Sequence, residues 1–359
     1  IETGVEKKIA LKIDESNPIA NTVIALEWGS DVDDDHTIYF LHTNHQGQPN
    51  RVSAAKIHSD TMDFIHEETP RCVFESNDPT IMVAMQRTKG GKYIAIEAST
   101  KTSNEIYLST LDNPKVPLML VRPREEGIMY YVDCGPDIHD NQTVVILVGD
   151  QYICERPVSD LPVGDFSSTY DNGDDEEYSI GDMDVYQHHI VTYVRSKRTG
   201  DQRLKIRNRC NDNQPPAVVH LPKGIGSIPW TNITPCGNSQ HDAKSMKFIL
   251  ESPVLSGVTH KVHFDSLQVH CLDELSASQN YAYERVFVKS QDGTDVPLSL
   301  FFRPENCSGN VLLVGYGAYG ESIGYEYNPS WKALLDCGMV LAFAHTRGGG
   351  ELGRDWHHA

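Results

Sequence analysis

The 359-residue sequence predicts a mainly β chain: a β-propeller of about five blades, followed by the beginning of an α/β domain. From residue 37 to about 270, short β-rich runs alternate with turn clusters and helix signals are nearly absent. Five hairpin-like units recur within that stretch at a similar spacing. A strand, helix, strand pattern appears only beyond residue 310.

The hairpins are TIYFLHT with RVSAAKIH, KYIAIEAST with NEIYLSTL, TVVILVG with QYICERPV, HHIVTYVRS with RLKIRNR, and SMKFILESP with THKVHFDSL. They start at residues 37, 92, 143, 188 and 245, so the repeat runs from 45 to 57 residues. That period suits propeller blades and is too long for ankyrin or leucine-rich repeats. A blade needs about four strands. RCVFES and IMVAMQRT lie ahead of the second hairpin, and LMLVRP and GIMYYVDCG ahead of the third. The turns Lys101-Thr-Ser-Asn and Arg198-Thr-Gly-Asp use residues that tolerate positive φ. A β-sandwich is the alternative all-β arrangement, and it explains the period less well.

The pattern changes near residues 276–283. Two β-rich runs from Arg285 and Val296 flank Gln291-Asp-Gly-Thr-Asp, whose Asp-Gly is a hairpin turn signal. A propeller domain is therefore expected over residues 1–280 and a second domain over 281–359. In the second, Val311 to Val314 reads as a buried strand that runs into the loop Gly315-Tyr-Gly-Ala-Tyr-Gly. Pro329 opens a helix carrying Trp331, Leu334 and Leu335, Gly338 ends it, and Met339 to Ala344 is the next strand. Ligands in parallel α/β sheets meet the loops at the carboxyl ends of strands, which places the site at the two glycine-rich loops.

Aspartate and glutamate outnumber lysine and arginine by 50 to 31, for a net charge of −19. Such a balance argues against nucleic acid and suits cationic partners, although acidity also simply keeps proteins soluble. The acidic runs Asp31 to Asp35 and Asp171 to Glu177 read as solvated loops that could also draw basic peptides. Asp33, Asp34, Asp35 and His36 lack the glycine and terminal glutamate of a calcium loop, and His188-His189 and His357-His358 lack the i, i+4 spacing of paired helical ligands. No metal and no cofactor are expected. Eight scattered cysteines without a C-x-x-C pair, several within apolar runs, fit buried reduced thiols. Asn141, Asn232 and Asn306 begin N-x-S/T triplets, read as chance matches without a secretory signal. No apolar run approaches the ~20 residues of a membrane span. A cytoplasmic protein with no membrane and no nucleic-acid partner is the expectation.

LLVGYGAYG followed by HTRGGGELG resembles the start of the catalytic domain in the prolyl oligopeptidase family of serine peptidases, and within it the oligopeptidase B branch. Either motif alone is weak, but the ordered pair is specific. The resemblance implies a seven-bladed propeller joined to an α/β-hydrolase domain, and a serine oligopeptidase that cuts short peptides after lysine or arginine. By the same resemblance Tyr316 donates a hydrogen bond to the oxyanion of the splitting amide, a role a neutral phenol can fill at pH 7. Tyr319 falls at an aromatic wall of the specificity pocket. Glu326 falls at one of two acidic positions that hold a neighbouring basic side chain, whereas Gly324 stands at the other, which weakens the case for paired basic residues. Arg347 and Glu351 are expected to pair and brace the rim.

No G-x-S-x-G pentapeptide, the turn that presents serine in α/β hydrolases, occurs in the sequence. The triad is therefore expected outside it, together with the rest of the hydrolase domain, and the chain reads as a fragment prone to association through open sheet edges. A non-catalytic propeller module and a proline-specific peptidase are the competing readings.

Overall fold

In a computed structural model the described residues are 22–32, 35–58, 70–164, 178–211, 214–224, 229–273, 281–323 and 326–359. The second acidic run, Gly324, and part of the first acidic run lie outside them. The chain forms two compact units, Ile1–Gly149 with Ile153–Tyr170, and Asp150–Tyr152 with Asp171–Ala359. The expected domain junction near residue 280 falls in the undescribed stretch 274–280.

The first unit holds three antiparallel sheets. Strands β1 (Val23–Val32), β2 (Asp35–Thr43), β3 (Pro49–His58) and β4 (Arg71–Glu75) make the first, in that order. RCVFES thus closes the first sheet, with Arg51 opposite Glu75 and Val52 opposite Phe74. The second sheet is β5 (Met82–Arg87), β6 (Tyr93–Ser99), β7 (Asn104–Thr110) and β8 (Met119–Arg122). The third has β9 (Tyr130–Pro136), β10 (Gln142–Val148) and β11 (Tyr152–Pro157). This up-and-down order is that of propeller blades.

Inward-facing residues of neighbouring sheets fill the space between them. Tyr39, Leu41 and Val52 of the first sheet meet Val83, Ile94 and Ile96 of the second. The second and third sheets are joined by a buried amide: Asn104 Nδ2 donates to the Tyr130 carbonyl (2.7 Å) while Asn104 Oδ1 accepts from the Tyr130 N–H (3.0 Å). The Tyr130 hydroxyl donates to the Arg122 carbonyl and accepts from the Ile106 N–H, and burial pushes its pKa up to about 12. Polar side chains here stand in for strand pairing where two sheets meet, and they satisfy the Tyr130 N–H and carbonyl and the Ile106 N–H.

The second unit repeats the blade pattern twice. The fourth sheet is β12 (Tyr178–Val185), β13 (His189–Ser196), β14 (Gln202–Asn208) and β15 (Ala217–Val218), and the fifth is β16 (Asn232–Pro235), β17 (Ser245–Ser252), β18 (Leu255–His263) and β19 (Val269–Cys271). Tyr186, Val191, Leu204 and Ile206 pack against Met246, Phe248, Leu250 and Val262. All five expected hairpins are present.

A sheet of a different kind follows. Strands β20 (Ala282–Lys289) and β21 (Asp295–Phe302) form the Asp-Gly hairpin, and β22 (Val311–Gly315), helix α1 (Pro329–Asp336) and β23 (Val340–Ala344) form the strand, helix, strand unit. The order is β20-β21-β23-β22, with β22 and β23 parallel. Helix α1 starts as its sequence demands, with the Asn328 side chain accepting from the Ser330 N–H (2.8 Å) and proline in the first turn. Its buried face, with Leu335, joins Phe301, Leu341, Phe343 and Tyr281, and Val254 from the β17–β18 turn of the fifth sheet completes this core. A short helix, α2 (Arg354–His358), ends the chain. None of the described helices is long and apolar enough to cross a membrane.

The eight cysteines form no disulfide, but the expectation that they are buried holds for only two, Cys134 and Cys154. Cys72, Cys210, Cys271, Cys307 and Cys337 are exposed, because they lie on outer strands, in turns or just past the end of a helix.

Candidate active site

Strands β22 and β23 run side by side, Val311 opposite Val340 and Gly315 opposite Ala344, so both discharge at one sheet edge. The loops that follow, 316–323 and 345–353, interlock. Gly320 N–H donates to the Gly348 carbonyl (2.9 Å), and Gly350 N–H to the Glu321 carbonyl (3.3 Å). Helix α2 holds the second loop from behind: Gly348 N–H donates to the Trp356 carbonyl (3.1 Å), and Trp356 Nε1 donates to the His345 carbonyl (3.1 Å).

This contact explains the glycines of the second motif. Gly348 has φ +86°, and a Cβ there would strike the carbonyl of Gly317; a Cβ on Gly350 would strike the carbonyl of Gly320. Two backbones approach as closely as backbones can, which only residues without side chains permit. The RGGG segment is a platform under the tyrosine loop.

Tyr316 leaves the end of β22 with its side chain 59% exposed. Tyr319 is 79% exposed and has φ +60°, one of three non-glycine residues with positive φ among those described. A bulky residue in the left-handed region costs on the order of 1–2 kcal/mol, and such strain concentrates at functional sites. The loop therefore spends stability on holding an aromatic ring out in solvent. Glu326 is also exposed, just ahead of α1. Its neighbours dock on the fifth sheet, the Tyr327 N–H on the Glu251 carboxylate (3.4 Å) and the Asn328 N–H on the Pro253 carbonyl (3.5 Å). Tyr316 and Tyr319 thus share one loop, and Glu326 follows the undescribed residues 324 and 325 in sequence.

Arg347 and Glu351 do not pair. The turn at Gly348 throws Arg347 outward onto Asp292 in the β20–β21 turn (2.6 Å), where hydrogen bonds from Ser290, Thr294 and Arg347 hold the Asp292 carboxyl far below the usual range. Glu351 folds inward instead and is 2% exposed. Its Oε1 accepts from the Ile323 N–H (2.9 Å) and lies 3.8 Å from His345 Nδ1.

His345 is itself buried, with Nε2 3.0 Å from Ser299 Oγ on β21. Burial holds its pKa below the ordinary value, with the charges of Arg285 and Arg195 opposing protonation and Glu351 favouring it. Burial pushes the Glu351 carboxyl up, but His345, the Ile323 N–H and its own N–H outweigh that and leave it lowered. A neutral imidazole beside a carboxylate anion results. Sequence reasoning overlooked His345 and Ser299, although Phe343 and His345 alternate along the strand exit and so share a direction.

Residues 6–154 match the family described as prolyl oligopeptidase, N-terminal beta-propeller domain. Protease 2 of Moraxella lacunata is 24% identical over 334 residues, covering 90% of this chain and 45% of its own length. The prolyl endopeptidase-like protein of Homo sapiens is 28% identical over 299 residues, covering 79% of this chain and 38% of its own length. The chain thus spans about half the length of the curated relatives it matches, or less. Among solved structures, oligopeptidase B from Leishmania major superposes with a TM-score of 0.77 at 21% identity, over 93% of this chain and 46% of that one. Oligopeptidase B from Trypanosoma brucei with covalently bound antipain superposes equally well, with a TM-score of 0.77 at 23% identity over 93% and 47%. The sheet pattern, the match of residues 6–154 to the propeller family and these relatives agree in one respect: the chain is similar to the propeller half of prolyl oligopeptidase-family proteins.

Proposed function

We propose that this chain is part of a cytosolic serine oligopeptidase of the prolyl oligopeptidase family that hydrolyses short peptides on the carboxyl side of lysine or arginine, with residues 281–359 opening its α/β-hydrolase domain. The observation that supports this most is the exposed Tyr316 phenol, which stands where a strand of the mixed sheet ends and rests on a rigid glycine platform. In amide hydrolysis a serine oxygen attacks the carbonyl carbon, a histidine takes the serine proton, and negative charge gathers on the carbonyl oxygen. Tyr316 is the donor we assign to that oxygen. The strained Tyr319 ring offers a face to a guanidinium or ammonium group. Glu326 supplies a carboxylate for a second basic residue. The propeller sheets would restrict access to small or unfolded peptides. No serine, histidine or acid of this chain is assigned to the triad. Cysteines free of disulfides suit a reducing compartment.

The test is made on the full protein with fluorogenic Arg-amide and Pro-amide substrates. Tyr316→Phe should lower kcat roughly 10²-fold or more with little change in KM, the loss typical of one oxyanion donor. Unchanged turnover by a folded variant removes Tyr316 from catalysis, and a preference for the Pro-amide overturns the basic specificity.

A further inference from the structure

Glu351 is a buried carboxylate on the platform loop, and the oxyanion role assigned to Tyr316 leaves it without a task. Its Oε1 takes the Ile323 N–H, which ends the tyrosine loop. Its Oε2 is buried and has no hydrogen-bond partner among the described residues. It lies so close to Gly349 that a Cβ there would strike it. A carboxylate oxygen with no donor is costly unless positive charge balances it. Arg195, on β13 of the fourth sheet, supplies such charge: it is half-buried, and its guanidinium and Glu351 attract each other. Arg285, on β20, acts with Arg195 on the neighbouring His345.

The arginines are anchored in turn. Arg195 Nη1 donates to the Gly200 carbonyl (3.1 Å), Arg285 Nη1 donates to the Thr199 carbonyl, and Arg285 Nη2 lies 3.8 Å from Asp201. All three acceptors sit in the β13–β14 turn. The platform loop touches that turn directly: a Cβ on Gly200 would meet the Glu351 carbonyl at 3.4 Å, and one on Gly353 would meet the Lys197 side chain and Ser179.

We propose that Glu351 is a positioning residue that registers the Tyr316 loop on the fourth propeller sheet, through the Ile323 N–H on one side and the β13–β14 turn, where Arg195 and Arg285 are anchored, on the other. This rests on the oxyanion role of Tyr316. A propeller side chain thereby fixes where the phenol stands relative to the reacting carbonyl, and small misplacement of a catalytic group costs rate far more than binding.

The experiment is a double-mutant cycle in the full protein with Glu351→Gln and Tyr316→Phe, read as kcat and KM, with hydrogen exchange of the Ile323 amide alongside. Glu351→Gln keeps size and removes charge. It should lower kcat by about 10-fold with KM changed less than ~2-fold, speed Ile323 exchange by about 10-fold, and have almost no further effect on kcat once Tyr316 is phenylalanine. An equal loss of kcat in both backgrounds, or unchanged exchange, overturns the assignment. If Tyr316→Phe alone leaves kcat intact, the oxyanion reading fails, while the exchange rate still decides whether Glu351 holds the loop. Arg285→Lys retains charge but loses the Nη1 hydrogen bond to the Thr199 carbonyl. It should cost kcat about 3-fold without altering KM, and no effect in that variant also counts against the proposal.

Discussion

Ser299 Oγ and His345 Nε2 lie 3.0 Å apart, and Glu351 stands on the far side of the same imidazole. Serine, histidine and acid in that order imitate a nucleophile with its base and orienting group. Burial separates this arrangement from a working triad: Ser299 is 0% exposed and His345 is 1% exposed, so no peptide carbonyl reaches the hydroxyl. A nucleophile must meet its substrate, and this serine ties β21 to the exit of β23.

Ser299→Ala is therefore expected to leave labelling by a serine-directed fluorophosphonate unchanged in the full protein. It should cost about 1 kcal/mol of stability, because a buried hydrogen bond is lost. Loss of labelling in a folded Ser299→Ala variant would show that the serine is reached after all.

Acidification should weaken the fold early. His189, His260 and His345 are all held below the ordinary value of 6.5, in each case chiefly by burial. Asp265 and Asp273 pull the first two back toward protonation, as Glu351 does for the third, without cancelling the effect. Near pH 6.5 the unfolded chain binds more protons at these positions than the folded chain does, so stability rises with pH there. The stabilisation is complete above that value and is lost as pH falls from it toward the folded pKa values. The lowered Glu351 carboxyl acts in the same direction below its ordinary 4.5. Urea midpoints at pH 7.5 and 5.5 measure this: the midpoint should fall on acidification, and His260→Gln should flatten the dependence. A midpoint that is level or higher at pH 5.5 contradicts the burial argument.

Tyr319→Gly separates strain from function. Glycine adopts φ +60° freely, so the substitution should raise stability by about 1 kcal/mol despite removing a side chain. If the ring contacts substrate, KM for an Arg-amide should rise at the same time. A more stable enzyme with unaltered KM would make Tyr319 a turn residue and no part of a pocket wall.

The hairpins were legible because their β-rich runs are uninterrupted and most are separated by segments carrying Gly, Asn or Asp. Strand β12 escaped notice: Gly181 stands at a bulge between Ile180 and Asp182, and acidic residues at 182 and 184 break the pattern. The outer strands β15, β16 and β19 span only two to four residues, too short for any period to show. The parallel unit around α1 was plain from proline, the spacing of Trp331, Leu334 and Leu335, and Gly338. The inward turn of Glu351 was not. Its direction is set by Gly348 packing on Gly317, a contact between two loops far apart in sequence, and no local pattern encodes it. A charge pair guessed from neighbourhood gave way to two contacts chosen by tertiary structure, Arg347 with Asp292 and Glu351 with the Ile323 N–H and His345.

The platform itself can be tested by comparing two glycines with the same backbone requirement. Gly47 has φ +79° and open space where a Cβ would point, whereas Gly348 has φ +86° and the Gly317 carbonyl in that place. Alanine at 47 should cost only the left-handed conformation, about 1 kcal/mol. Alanine at 348 adds a backbone clash that no side-chain rotation relieves, so the loops must part. Gly348→Ala should therefore destabilise by at least ~2 kcal/mol more than Gly47→Ala, with the rearrangement confined to 316–323 and 345–353. Thermal unfolding of both variants, with hydrogen exchange across those loops, measures the difference. Equal costs would mean that the glycines of RGGG answer only to local conformation, and the two loops would then be independent of one another.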